Sequence, residues 1–209
     1  MCGICGIIEK NRDNTTLMTE MLSIIEHRGP DSYSVFSHGD FCLGHRRLSI
    51  IDLSTGNQPI FNEDKTVCVV FNGEIYNYKE HKESLQAKGH QFYTTSDTEI
   101  LVHLYEEYGT EFFSQLNGIF AFALYDIEKD EYLIARDHIG IIPLYVGWDS
   151  MGTFYVASEL KALEGYCAKI EEFKPGYYLS SKDGKMTVGT SATGWNSTRL
   201  KTTRQAFLN

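Results

Sequence analysis

Apolar and polar positions along the chain follow two rhythms. Residues 2–9, CGICGIIE, read as a strand. From Thr15 to His27 the apolar residues Leu17, Met18, Met21, Leu22, Ile24 and Ile25 recur at helical spacing, and Gly29-Pro30 stops the helix. YSVFS and FCLGHRRLSI flank the turn His38-Gly39-Asp40 as a hairpin. TVCVVF is a β-branched strand ending at Asn72-Gly73. Two helices follow, Asn77–Lys88 capped by Gly89, and Asp97–Tyr108 opened by Ser96 or Asp97 and closed by Gly109. Strands then dominate. GIFAFALYD and YLIARD are joined by the polar turn Glu128–Glu131, and IPLYVGWD and TFYVAS through Ser150-Met151-Gly152. Ser158–Leu163 is a short helix, GYYLSS a last strand, and from Lys182 the chain becomes a polar tail, extended or poorly ordered. Strict βαβ alternation is absent, so the pattern predicts an α+β layered sandwich and not a parallel α/β sheet.

Composition adds limits. The 209 residues, 42% hydrophobic, suffice for one sizeable core over residues 1–181, with 182–209 as a tail. A net charge of −9 argues against nucleic acid or an anionic membrane as partner. The chain has neither an apolar run long enough to span a bilayer nor a signal-peptide pattern, so a soluble, intracellular protein is expected. The five cysteines are scattered and odd in number, which argues against a disulfide framework; Cys42 and Cys68 sit in apolar strands as small hydrophobes.

The pair Cys2-Gly3-Ile4-Cys5 has three readings. Zinc needs a second Cys or His pair at comparable spacing, and the seven histidines are dispersed. A thioredoxin-like pair needs a strand–helix junction, whereas here the pair runs into a strand whose alternation holds the two sulfurs apart. Position gives the third reading. Removal of Met1 would leave Cys2 with a free α-amine of pKa about 7.7–8, able to take the thiol proton and return it to a leaving amine. On Cys2 alone, a buried strand cysteine that follows Met1 by chance is the simpler reading.

Other motifs change that balance. A thiolate attacking a carboxamide needs donors for the oxyanion. Asn72-Gly73 reads simply as a type I′ turn, but Glu74-Ile75-Tyr76-Asn77 leads into a helix pattern instead of a returning strand, so an Asn amide and a glycine N–H form a candidate oxyanion hole. Arg46 and Arg47 lie in an apolar strand where a charge is expensive unless paired; alternation lets one of them face a site and grip a carboxylate. Asp97 could hold an ammonium group, or act as a plain N-cap.

Taken together, MCGICGII, EHRGPD, HRRLSIID, FNGEIYNY, SDTE, GIFAFALYD, ARDHIGIIPLYVG and VASELKAL, in this order over residues 1 to about 181, resemble the glutaminase domain of glutamine-hydrolysing asparagine synthetases, class II glutamine amidotransferases within the N-terminal nucleophile hydrolases. The resemblance implies a four-layer αββα sandwich. It implies Cys2 as nucleophile, and Asn72 with Gly73 as the oxyanion hole. Arg47 would grip the α-carboxylate of L-glutamine, the backbone of Leu48, Ser49, Ile50 and Ile51 would line the pocket, and Glu74 and Asp97 would hold the amino end. Arg28–Asp31 and Asp137–Gly140 are read as support for the pocket.

The resemblance stops short of a whole synthetase. No Ser/Gly-rich pyrophosphate loop occurs, and SATGWNSTRLKTTRQAFLN matches nothing recognised. The expectation is therefore glutamine hydrolysis to glutamate and ammonia without metal or cofactor, the ammonia passing to an acceptor on a partner chain or a further domain. A homo-oligomer is left open. The alternatives are an N-terminal nucleophile amidase acting on another amide, and a glutaminase-like binding or assembly module.

Overall fold

In a computed structural model, which describes residues 1–10, 12–48, 56–182 and 184–189, alternation along the strands separates three apolar layers. On β1 (Gly3–Ile8), Ile4 points one way while Cys5 and Ile7 point the other. Cys5 and Ile7 meet Met18, Met21 and Leu22 of helix α1 (Thr15–Ile24), which covers the outer face of the first sheet. The helical pattern expected to His27 breaks after Ile24, and a 3₁₀ turn over Glu26–Arg28 takes its place.

The first sheet holds β1, β2 (Ser32–His38), β3 (Phe41–Arg47), β8 (Tyr145–Trp148), β9 (Phe154–Ala157) and β10 (Lys169–Glu172) in the order β10-β8-β9-β1-β3-β2. The second holds β4 (Ile60–Phe61), β5 (Val67–Ile75), β6 (Gly118–Asp126), β7 (Glu131–Arg136), β11 (Tyr177–Ser180) and β12 (Lys185–Val188) in the order β12-β11-β7-β6-β5-β4. All strand pairs are antiparallel. Ile4, Leu43, Val70, Ala121, Ala123 and Val156 fill the space between the sheets. Helices α2 (Tyr78–Ala87) and α3 (Ile100–Tyr108) cover the outer face of the second sheet, where Val69, Phe71, Phe120, Phe122 and Leu124 meet Leu101, Val102 and Leu104. The sequence of layers is helix, sheet, sheet, helix, the expected αββα sandwich.

Two expectations need correction. The strand expected to end at Asn72-Gly73 runs on to Ile75, each residue paired with β6 through Ile75↔Gly118. No hairpin turn forms there, because β6 supplies an unbroken partner past the Asn-Gly pair. Gly73 has φ +147°, and a Cβ built there would lie 2.1 Å from the Ile119 carbonyl oxygen, so only glycine fits this close approach. At the other end of the chain, residues after Lys182 return as β12 beside β11; residues 190–209 lie outside the described residues. β10, on the edge of the first sheet, is a strand the hydropathy pattern did not separate from its surroundings.

Because Phe122 is fully buried among Phe112, Phe113 and Phe120, Phe122→Ala is expected to cost about 3–5 kcal/mol, read as a lower urea midpoint with an unchanged slope.

Candidate active site

The inter-sheet layer is apolar along most of its length and polar at one end. Cys2 precedes β1 on the face of Ile4, His45 and Arg47 continue the face of Leu43 on β3, and Asn72 continues the face of Val70 on β5. The two facing sheets thus bring together a thiol, an imidazole, a guanidinium and a carboxamide.

Cys2 is partly exposed, and its neighbours fix it closely. The Leu48 backbone N–H donates to Sγ at 3.4 Å, and Sγ lies 3.7 Å from the Leu48 carbonyl oxygen. Arg28 Nε donates to the Cys2 carbonyl oxygen at 2.8 Å, and Arg28 is itself held by Glu159 at 3.1 Å. Glu159 also bonds His27 and Lys161; burial raises its carboxyl, but the hydrogen bonds from Arg28, His27 and Lys161 outweigh it and hold the carboxyl below the usual range. Two residues further on, Ile4 N donates to Ser158 Oγ, and Ser158 N to the Ile4 carbonyl. Cys5 faces the α1 layer, fully buried, with its thiol pushed far up by desolvation. The C-x-x-C spacing therefore brings no pair of sulfurs to one face.

The two arginines split as alternation predicts. Arg46 turns to the helix side, donating from Nε to the Leu22 carbonyl at 2.9 Å and covering the Tyr33 ring. Arg47 turns to the inter-sheet side, buried, with Nη1 bonded to Asn57 Oδ1. Beside it His45, also buried, bonds the Phe71 backbone; burial first and the Arg47 charge second push its pKa down to about 3, so the ring is neutral at physiological pH. His45 and Asn57 were not singled out in the sequence. An imidazole inside HRRLSI carries no periodic signal beyond that of a strand residue, and Asn57 reaches Arg47 only through the folded chain.

Asn72 is 3% exposed and its amide nitrogen has no hydrogen-bond partner among the described residues. An unpaired buried donor typically costs about 1–3 kcal/mol. Arg28 Nη2 and His45 Nε2 are likewise buried without partners. Gly73 and Glu74 follow Asn72 on β5 and are exposed. Asp97 is not the N-cap: Ser96 Oγ accepts from Thr98 N in that role, while Asp97 Oδ2 accepts the Ile75 N–H at 2.7 Å. Burial, helped by the nearby Glu74 charge, raises the Asp97 pKa. The carboxylates of Glu74 and Asp97 thus share one end of β5, and Asn72 to Glu74 spans about 7 Å of strand. The backbone of Leu48 lies against Cys2; Ser49, Ile50 and Ile51 lie outside the described residues.

The two signatures assigned to support both make identifiable bonds. Beyond the Arg28 anchor, Gly29 packs so closely on the Arg46–Arg47 peptide that a Cβ would lie 2.5 Å from its atoms. Asp137 accepts the backbone N–H groups of Phe120, Ile139 and Gly140 at 3.1, 2.9 and 2.7 Å, tying β6 to the turn after β7.

Residues 1–177 match the family model described as glutamine amidotransferase domain. The chain belongs to the glutamine amidotransferase family. It is 47% identical over 189 residues to asparagine synthetase B [glutamine-hydrolyzing] of Escherichia coli, covering 89% of this chain and 34% of that protein. It is 44% identical over 187 residues to asparagine synthetase [glutamine-hydrolyzing] 1 of Arabidopsis thaliana, covering 88% of this chain and 32% of that protein. The chain thus spans about a third of the length of these curated relatives. Among solved structures, glutamine phosphoribosylpyrophosphate amidotransferase from B. subtilis shares the fold with a TM-score of 0.74 at 24% identity, covering 89% of this chain and 48% of that one. The amidotransferase domain is an enzyme domain, and no helix among its described residues is long and apolar enough to cross a membrane.

The environments of the thiols make them unequal. Treating the folded protein with a small alkylating reagent at pH 7 is expected to modify Cys2 well before Cys5, Cys42 and Cys68. The last two are pushed up to about 12 by burial. Mass mapping of early time points checks the order.

Proposed function

We propose that this amidotransferase domain hydrolyses the side-chain amide of L-glutamine to L-glutamate and ammonia, with Cys2 as nucleophile. The observation that carries the proposal is a partly exposed Cys2 thiol at the polar end of the inter-sheet layer, where Asn72 on the facing sheet holds a buried amide nitrogen with no partner among the described residues.

In this reading Met1, which is 56% exposed, is removed and frees the Cys2 α-amine. The amine takes the thiol proton, and the sulfur attacks the amide carbon of the substrate. The Leu48 N–H supports the thiolate. The developing oxyanion is received by Asn72 Nδ2 and the Gly73 N–H, donors of the kind each worth about 10²–10³ in rate. The protonated amine gives its proton to the departing nitrogen, ammonia leaves, and a thioester remains on Cys2. Water, deprotonated by the same amine, attacks the thioester and releases glutamate and the thiol. Neither a metal nor a cofactor enters this cycle.

Substrate selection rests on the two charged ends. Arg47 grips the α-carboxylate as a fork, and Glu74 with Asp97 holds the ammonium. The backbone of Leu48 to Ile51 lines the pocket between them. Ammonia then passes to an acceptor on a further domain or partner chain; the curated relatives named as asparagine synthetases, about three times as long as this chain, support amidotransfer of that type. Five unpaired cysteines fit a reducing compartment such as the cytoplasm.

Cys2→Ala is expected to abolish release of glutamate from glutamine, whereas Cys5→Ala keeps turnover and loses only packing stability. Labelling with a diazo-ketone glutamine analogue and mass mapping checks the site; label on any residue other than Cys2 sinks the mechanism. For Asn72→Ala, kcat is expected to fall about 10²–10³-fold with the fold intact by circular dichroism.

Asp97 yields a pH signature. Its raised pKa means that it takes up a proton at higher pH than an ordinary aspartate, so the charge that holds the ammonium is lost earlier on acidification. KM for glutamine is expected to rise as pH falls through that range, and Asp97→Asn to give the raised KM at every pH. A pH-independent KM in the native protein overturns the assignment.

A further inference from the structure

A second cluster of chemistry-bearing side chains lies outside the thiol site, in the helix layer over the second sheet. Glu63 comes from the β4–β5 turn, His90 from the loop after α2, and His103 and Glu106 from one face of α3. One ligand-type atom from each lies within 4.8 Å of all the others.

The separations are those of a coordination shell. His103 Nδ1 is 3.1 Å from Glu106 Oε2 and 3.4 Å from Glu63 Oε2. His90 Nδ1 is 3.4 Å from Glu63 Oε1 and 3.7 Å from Glu106 Oε2. A tetrahedral zinc ion with bonds of about 2.0–2.2 Å sets its ligand atoms about 3.3–3.6 Å apart. Both imidazoles present the same nitrogen to the centre, which leaves Nε2 to point outward.

Of the outward atoms, His90 Nε2 and Glu106 Oε1 carry a hydrogen-bond partner, whereas His103 Nε2 is buried without one among the described residues. His90 Nε2 bonds Glu107 Oε1 at 3.1 Å, and His103 Nε2, fully buried, faces Glu99 at 3.9 Å. Glu106 Oε1 accepts from Asn62 Nδ2 at 2.7 Å, and Glu63 Oε1, the oxygen nearest His90 Nδ1, also accepts the Gln91 N–H at 2.8 Å. The Glu107 bond favours the His90 tautomer with the proton on Nε2 and the lone pair on Nδ1, while at His103 a metal would have to displace the proton that Nδ1 shares with Glu106. Two carboxylates face the two Nδ1 atoms, with His103 Nδ1 hydrogen-bonded to Glu106 Oε2 at 3.1 Å, so the centre calls for positive charge, supplied either by protons on the imidazoles or by one divalent cation.

We propose that Glu63, His90, His103 and Glu106 form a structural site for a divalent cation of the zinc class, tying the β4–β5 turn and the α2–α3 loop to helix α3. Two imidazoles and two carboxylates select a borderline ion such as Zn²⁺ over Mg²⁺ or Ca²⁺, which prefer oxygen alone. The site is separate from glutamine hydrolysis, and its failure leaves that reading intact. Protons are the competing occupant: a proton on each Nδ1 turns the same geometry into a salt-bridge network, and zinc must release them.

The test uses the full chain, stripped of metal, with Cys2→Ser to remove the accessible thiol. Zn²⁺ is titrated against a chromophoric chelator, and Co²⁺ is added to read tetrahedral coordination from its visible bands. One equivalent of Zn²⁺ is expected to bind, raise the melting temperature, and release protons. Glu107→Gln, which alters the outer partner of His90 and the surface ion pair with Lys88 but none of the four ligands, is expected to weaken binding about 10–100-fold. His90→Gln, which removes a ligand at a partly exposed position, is expected to weaken it further still, with the fold checked by circular dichroism. Absence of the Co²⁺ bands, or Zn²⁺ binding equal in native and His90→Gln protein, overturns the proposal in favour of the protonated network.

Discussion

The first strand of the chain is an inner strand of its sheet, and the site depends on that. β1 is hydrogen-bonded to β3 on one side and β9 on the other, so the residues that follow Cys2 have no freedom to swing. Ser158 closes the ladder at Ile4, and Arg28 holds the Cys2 carbonyl itself. A chain end normally frays because little opposes its entropy. Here two strands, a buried guanidinium and the Glu159 carboxylate oppose it, and the thiol acquires a fixed position against the Leu48 backbone.

The second constraint is that two sheets must close over an apolar layer while one end of that layer stays polar. His45, Arg47 and Asn72 are each at least nine-tenths buried, in places where Leu or Val would pack without desolvation cost. The uncompensated nitrogens of Arg28, His45 and Asn72 destabilise the fold locally, and the three apolar layers offset them. The neutral state of His45 follows from the same burial, with Arg47 beside it disfavouring a second positive charge.

Much of this was legible before any coordinates. The alternation of β1 separated Cys2 from Cys5, and the alternation of β3 separated Arg47 from Arg46, because side-chain direction in a strand has a period of two residues whatever the tertiary structure. The helices over α1, α2 and α3 followed from apolar spacing and glycine stops, although the 3₁₀ turns at Glu26–Arg28 and Asp97–Glu99 trimmed the expected ends. What failed was local punctuation. Asn72-Gly73 carries the chemistry of a turn, yet β6 pairs straight through it and glycine is used there for close backbone approach. Asp97 carries the chemistry of an N-cap, yet Ser96 takes that role and Asp97 reaches the Ile75 N–H across 22 positions.

The sequence by itself determined which faces were apolar, which residues could share a face, and that the chain builds an α+β sandwich, because these follow from periodicity and steric preference within a few residues. Tertiary structure alone decided which faces meet. It brought Cys2 and Asn72, seventy positions apart, into one inter-sheet layer, set Arg47 against Asn57, and gathered the dispersed histidines His90 and His103 with Glu63 and Glu106. Contacts of that kind depend on sheet order and layer packing, which no local pattern encodes.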